Sequence, residues 1–252
     1  MAAQNLRVET IAHNIANVNT PSFKRSRLHF EDLLYQTVRG SRYVSYPGVD
    51  ALGAVQVGRG VRVVANSKVF SQGPVELTSR DLDVAIEGDG FLVVELPDGQ
   101  FGYTRDGSLS IAAESGLLVT RSGYPLSPAI VVPPDTERIV ISEDGTVTAI
   151  GGRGQQEIEI GRIQLARFVN PEGLLAIGQN LYMETAASGP ASLGLPQELG
   201  FGRLIQGALE GSNVEIVQEM VDMISALRAY ELNSRSVQTA DQMMEQASGL
   251  VR

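Results

Sequence analysis

Two stretches at opposite ends of this sequence carry apolar residues in alternating steps of three and four. Between Asn213 and Gly249 the series is Ile216, Met220, Met223, Leu227, Tyr230, Val237 and Met244, interrupted by Ser234 and Asp241. Between Met1 and Val18 it is Met1, Gln4, Val8, Ile11, Ile15 and Val18. A mean step of about 3.5 residues draws one seam along an α-helix, and such a seam needs a facing surface. The middle of the chain changes character, to short β-branched runs, glycines and Asp-Gly pairs. This pattern predicts an α+β chain: a mainly β central domain with long N- and C-terminal helices forming a coiled-coil-like pair. The ends are expected to pack on each other or on other chains.

The first helix is expected over Met1 to Val18. Pro21 disfavours helix at Thr20, and the asparagines nearby tolerate the left-handed conformation that closes a helix. Asn14 and Asn17 fall on one face. They are either polar decoration near a helix end or amides aimed at a partner's backbone. Phe23 to Tyr35 reads as a short helix or an extended arm. Gln36 to Gln56 shows no strong period and reads as a long loop, a rarity inside a compact domain. From Val57 the alternation of strands begins: Val61 to Ala65, Leu82 to Ile86, Phe91 to Leu96, Phe101 to Thr104, Leu117 to Thr120, Ile130 to Val132, Ile139 to Ser142, Thr146 to Ile150 and Ile158 to Phe168. Pro97-Asp98-Gly99 and Glu143-Asp144-Gly145 are hairpin turns. Regular short strands predict a sandwich or barrel-like domain. Ser212 or Asn213 is the expected N-cap of a last helix of about 35 residues, about 50 Å long. The domain plan is therefore 1–27 for the first helix and its motif, 28–65 for an arm, 66–185 for the β domain, 186–211 for a glycine- and proline-rich linker, and 212–252 for the last helix.

Chemistry is sparse. With no cysteine, disulfides, thiol catalysis and thiolate metal sites are excluded. His13 and His29 stand beside no nucleophile motif, and no G-x-S-x-G elbow occurs. The acidic group Asp81, Asp83, Glu87 and Asp89 lacks calcium-loop spacing and reads as a solvated edge. Gly151-Gly152-Arg153-Gly154 lacks the Lys-Ser/Thr of a phosphate loop and reads as a hairpin tip. No catalytic residue, metal or cofactor is expected, and the chain is not expected to be an enzyme. A net charge of −9 argues against nucleic-acid binding. The basic cluster Lys24, Arg25, Arg27 reads as a solvated face. No apolar run approaches the ~18 residues of a membrane span, and the opening residues form no cleavable signal peptide. What remains is assembly. The helix after Asn213 carries a second apolar line, Val217, Val221 and Ile224, and several methionines, which pack adaptably. The residues expected to make self-contacts are Ile11, Asn14, Ile15, Asn17, Val18, Ile216, Val217, Met220, Val221, Ile224, Leu227, Tyr230 and Val237.

The stretch IAHNIANVNTPSFKR, Ile11 to Arg25, resembles the N-terminal signature of the bacterial flagellar rod and hook axial proteins. Ser212-Asn213-Val214, Glu219 to Ile224 (EMVDMI) and Arg228 to Ser234 (RAYELNS) resemble its C-terminal counterpart. Phe30 to Gln36, Gly88 to Phe91, Tyr103 to Ser108 and Asn180 to Thr185 make the chain most similar to the distal-rod members. The resemblance implies a structural subunit that polymerises helically with itself into a rigid drive shaft carrying motor torque to the hook. It implies terminal helices lining an inner tube, an outward β domain, and a rod-specific stiffening segment near Gln36 to Gln56. The partners it implies are copies of itself, hook and proximal rod proteins, the L- and P-ring bushing, and the flagellar type III export apparatus. The location it implies is the basal body, between periplasm and outer membrane. Family members usually begin earlier, and Met1 falls at an internal Met-x-Ala-Gln of the family. Either the start is misassigned or the inner helix is shorter. A hook or proximal-rod subunit is the nearest alternative; a secreted β-domain binding module with helical oligomerisation ends is the alternative of another class.

Overall fold

The computed structural model describes residues 2–39, 55–151, 156–198 and 200–249. The fold is α+β, with mainly strands between two helices, α1 (Ala2–Ala16) and α2 (Ile216–Gly249). The chain divides into two compact units. One comprises Met1–His13, Ser26–Ser67 and Val217–Arg252; the other comprises Asn14–Arg25 and Lys68–Ile216. This division differs from the linear plan, because each unit is assembled from segments distant in sequence.

The second unit is built on a six-stranded antiparallel sheet. Its strands run, in spatial order, Leu175–Gly178, Leu181–Met183, Phe101–Thr104, Phe91–Glu95, Leu165–Arg167 and Ser192–Gly194. The Pro97-Asp98-Gly99 turn joins two neighbours as expected, placing Leu92 opposite Thr104 and Glu95 opposite Phe101. The Phe91–Glu95 strand is buried on both faces, which explains its unbroken apolar run. Leu92 and Val94 enter a core with Val84, Ile86, Leu118, Ile139, Val147 and Leu204. Phe91 and Val93 enter an aromatic cluster with Tyr103, Phe168 and Tyr182 on the opposite face. There Tyr103 meets Phe168 edge to face at 4.8 Å. A three-stranded sheet, Thr136–Ile141, Thr146–Gly151 and Gln156–Arg162, contributes Ile139, Ile141 and Val147 to the first core.

Several expectations need correction. Ile158 to Phe168 is not one strand. It breaks after Arg162, where the Ile163 amide donates to the Gly145 carbonyl at 2.8 Å, and its halves join different sheets. Ile130 to Val132 forms only an isolated bridge, Val131 to Leu117. Segment 186–211 is no linker. Ser192–Gly194 pairs with Leu165–Arg167, Arg203–Gln206 with Val84–Glu87, and Ala208–Glu210 with Val75–Leu77. Its small residues serve close approach: a Cβ on Gly194 would sit 2.3 Å from the Phe201 ring. Phe23 to Tyr35 contains a strand, Ser26–Asp32, paired with Val61–Lys68. The ends of Gln36 to Gln56 also form strands, Gln36–Arg39 on Val55–Val57, while 40–54 lie outside the described residues, as does the 152–155 tip.

Helix α1 stops at Ala16, before the expected Val18, through tightened bonds from the amides of Asn17 to the Asn14 carbonyl and Val18 to the Ile15 carbonyl. The left-handed residue beyond it is Ser22 (φ 56°), not an asparagine. Its amide and hydroxyl donate to the Glu210 and Arg105 carbonyls, each at 2.7 Å, which offsets the unfavourable backbone conformation. At the other end neither expected cap holds the start of α2. Asn213 is used for long-range bonds, and Ser212 accepts from the Val214 amide at 3.3 Å, ahead of the helix.

Candidate functional site

Within the second unit, the segment leaving α1 and the segment leading into α2 are tied to each other. At the centre is Glu210, fully buried. Its Oε1 accepts from Lys24 Nζ at 2.5 Å and from the Gly73 amide at 2.9 Å; its Oε2 accepts from Arg105 Nε at 2.7 Å. Lys24 Nζ also donates to the Ser71 carbonyl at 2.7 Å. Arg105 spends its remaining donors on the carbonyls of Gly90 (3.1 Å), Gly88 (3.0 Å) and Ile86 (3.4 Å). Around this cluster Asn213 works as a staple. Its Oδ1 accepts from the Arg25 amide at 2.8 Å, and its Nδ2 donates to the Val69 carbonyl at 2.7 Å and to both Ser71 oxygens at 3.1 Å. Asn180 Nδ2 donates to the Pro21 carbonyl at 2.9 Å. Gly73 must be glycine here, because a Cβ would stand 2.2 Å from the Gly211 carbonyl oxygen.

Buried charge needs partners, and these charges have them. Burial pushes the Glu210 carboxyl upward, but Arg105 and Lys24 outweigh it and hold the group below its ordinary range. Lys24 moves down: burial disfavours its charge and Arg105 repels it, more than Glu210 compensates. Tyr182, whose hydroxyl feels both Arg105 and Glu210, is pushed up chiefly by burial. Tyr103, buried and facing Glu184, is pushed up to about 12. With Glu210 and Lys24 fully inaccessible, this cluster suits holding chain segments rather than proton transfer to a bound molecule.

This site was hidden in the sequence. Lys24, expected on a solvated face, is fully buried. Asp83, expected on a solvated edge, is 2% exposed with Arg80 3.5 Å away. Arg105, within the Tyr103 to Ser108 stretch, is 4% exposed. The one available signal for Glu210 is its period-two relation to Ala208, since both are buried and Leu209 between them is not. His29 Nε2 sits 2.9 Å from the hydroxyl of half-buried Ser67. Among the described residues no group of three or more His, Cys, Asp or Glu could hold a metal, and no helix is long and apolar enough to cross a membrane.

The residues expected to make self-contacts divide into two sets. Ile11 and Asn14 are covered by their own chain, and Ile15, Asn17 and Val18 are half-buried. Those on α2 are open: Ile216, Val217, Met220, Val221, Ile224, Leu227, Tyr230 and Val237 are between 37% and 72% exposed. The arm of the first unit adds exposed Phe30, Val61 and Val64 on its strands and Leu34 and Tyr35 between strands. Arg7 and Asp222 form an ion pair at 3.8 Å.

Comparison with known proteins gives a consistent result. Residues 85–149 match the model of the flagellar hook protein FlgE/F/G D1 domain. Residues 205–250 match the flagellar basal body rod FlgEFG protein C-terminal model, and residues 1–24 match the flagella basal body rod protein model. The chain is 48% identical to the flagellar basal-body rod protein FlgG of Borreliella burgdorferi, over all of this chain and 96% of that one. It is 47% identical to FlgG of Caulobacter vibrioides (99% and 95% covered) and 35% identical to FlgG of Bacillus subtilis (98% and 94%).

Proposed function

Because the chain belongs to the FlgG family of flagellar basal-body rod proteins, we propose that it is a structural subunit of the distal rod that polymerises helically into a rigid shaft carrying torque to the hook. The observation that carries this reading is the open apolar face of α2. Eight residues chosen for their spacing are exposed along one helix. Each would contribute about 1.5–3 kcal/mol if fully buried. A face of that size is a poor surface for a lone molecule in water and a good one for repeated contact with copies of itself. Coiled-coil-like pairing of α1 and α2 belongs to this assembled state.

The remaining parts of the proposal follow from the family. The neighbours are proximal rod proteins on one side and the hook protein on the other, with the L- and P-ring bushing around the β domain. The subunit reaches the basal body through the flagellar type III export apparatus without a cleaved signal, and its role is mechanical rather than catalytic. Ile11, Asn14, Ile15, Asn17 and Val18 contribute to assembly by fixing the first helix, and the α2 residues by direct contact. The test is Ile224→Asp, with rods counted by electron microscopy in cells lacking the wild-type copy. Loss of rods with an unchanged β domain supports the proposal. Normal rods would remove the α2 face from it.

A further inference from the structure

The bonds that join the two helix roots are polar and lie beside the aromatic cluster, where Arg105 stands 5.9 Å from the centre of the Phe91 ring. Neither core cluster contains a residue from 14–25 or from 207–216. These segments bury Phe23, Ala208 and Val214, pair Ala208–Glu210 with Val75–Leu77, and are tied to each other by Glu210 with Lys24 and Arg105, the Ser22 amide on the Glu210 carbonyl (2.7 Å), the Asn213 amide on the Phe23 carbonyl (3.3 Å), and the Asn213 side chain on the Arg25 amide. The side chains of Lys24, Glu210 and Arg105 are 0%, 0% and 4% exposed, so a single anion serves two buried cations. Tyr182 also faces it. Removing one cation leaves a neutral pair. Removing the anion strands two cations in a site that water does not reach, the far costlier change.

We propose that Glu210 is the latch of a locally cooperative unit: residues 20–25 and 210–213 order together around its carboxylate and release together, without unfolding the β core. This goes beyond the assembly reading and does not depend on it. The reasoning is thermodynamic. A segment can open below the global unfolding free energy when its contacts lie outside the main core, and neither core cluster includes a residue of these roots. Each root segment supplies part of the other's hydrogen-bonding surface, so fixing one raises the population of the ordered other. Anything that grips the exit of α1 would thereby also steady the entry to α2, although the two are far apart in sequence.

The test is hydrogen exchange by mass spectrometry on the full chain in monomeric form, comparing wild type with Glu210→Gln and Lys24→Met. For Glu210→Gln, exchange should rise about tenfold or more in peptides covering 20–25, 71–74 and 210–213. It should change by no more than about twofold in 91–95, 101–104 and 146–151. Lys24→Met should show the same pattern at smaller amplitude, because Glu210 keeps Arg105. The proposal is overturned by any of three results: root segments unaffected in both variants, a rise spread equally over the core strands, or a response confined to one root. If Glu210→Gln fails to fold, Lys24→Met decides by the same criteria.

Discussion

Compare the Phe91–Glu95 strand with helix α2. Both are rich in valine, leucine, isoleucine and methionine-sized side chains. In the strand, Leu92 and Val94 are fully buried and Phe91 and Val93 are 4% exposed. In the helix, Val217 is 72% exposed, Val221 53% and Ile224 52%. The same residue types therefore have two different partners. The strand finds its neighbours within its own unit, on both faces of one sheet. The helix does so only in part: Ala226 and Glu219 are buried, while these apolar side chains remain open. The contrast separates a covered apolar element from one with an open apolar face.

The largest test of that contrast is in the strand. Leu92→Ala should cost about 2–5 kcal/mol in unfolding free energy, the usual range for a buried leucine whose cavity cannot collapse, read from denaturant melts of the monomer. Ile224→Asp should shift the same melts by no more than about 0.5 kcal/mol, as an exposed substitution does, while assembly is lost. If both variants were equally destabilised in the monomer, α2 would already be packed in solution and the contrast would fail.

Acid offers a test of intermediate size, because it reaches the latch before the apolar core. Glu210 has a folded-state pKa below its ordinary value of 4.5, with burial opposing and the Arg105 and Lys24 charges prevailing. A depressed carboxylate contributes stability that is whole above the unfolded value and lost as pH falls through the folded one. Unfolding midpoints should therefore hold steady at mildly acid pH and fall below about 4.5, whereas Glu210→Gln should lack that share of the fall. Lys24, whose pKa is lowered, has the opposite sense at the alkaline end. The unfolded chain holds more protons there, so stability rises with pH between its folded value and 10.5. Acid profiles of identical slope in wild type and Glu210→Gln would remove the latch from the acid response.

How much of this was readable from the residues follows the same divide. Period and turn chemistry are local, so α2, the Phe91 to Thr104 hairpin and the Glu143-Asp144-Gly145 turn were legible. The exposed face of α2 was legible too, because a seam advertises a missing partner. The Glu210 cluster was not. Lys24 and Glu210 are joined across 186 positions, and only the period-two relation of Glu210 to Ala208 hints at burial. The glycine- and proline-rich run from 186 onward misled for a related reason. Composition of that kind marks either a free linker or backbones pressed together, and only the neighbours, such as Phe201 against Gly194, distinguish the two.

The smallest expected effect bears on whether the helical ends cover one another in the free chain. Arg7 and Asp222 lie 3.8 Å apart with side chains 41% and 38% exposed. An ion pair that wet is worth about 0–1 kcal/mol and fades with salt, since water competes for both charges. A double-mutant cycle with Arg7→Ala and Asp222→Ala should therefore give a coupling in that range in the monomer, vanishing at high ionic strength. Against it stand the exposed apolar side chains of α2, whose burial would outweigh the pair several times over. A coupling well above that range would mean the pair is shielded by packed helices, and the monomer would already hold part of the surface that assembly is expected to use. A small coupling leaves the apolar face of α2 uncovered in the monomer, as the proposed assembly requires.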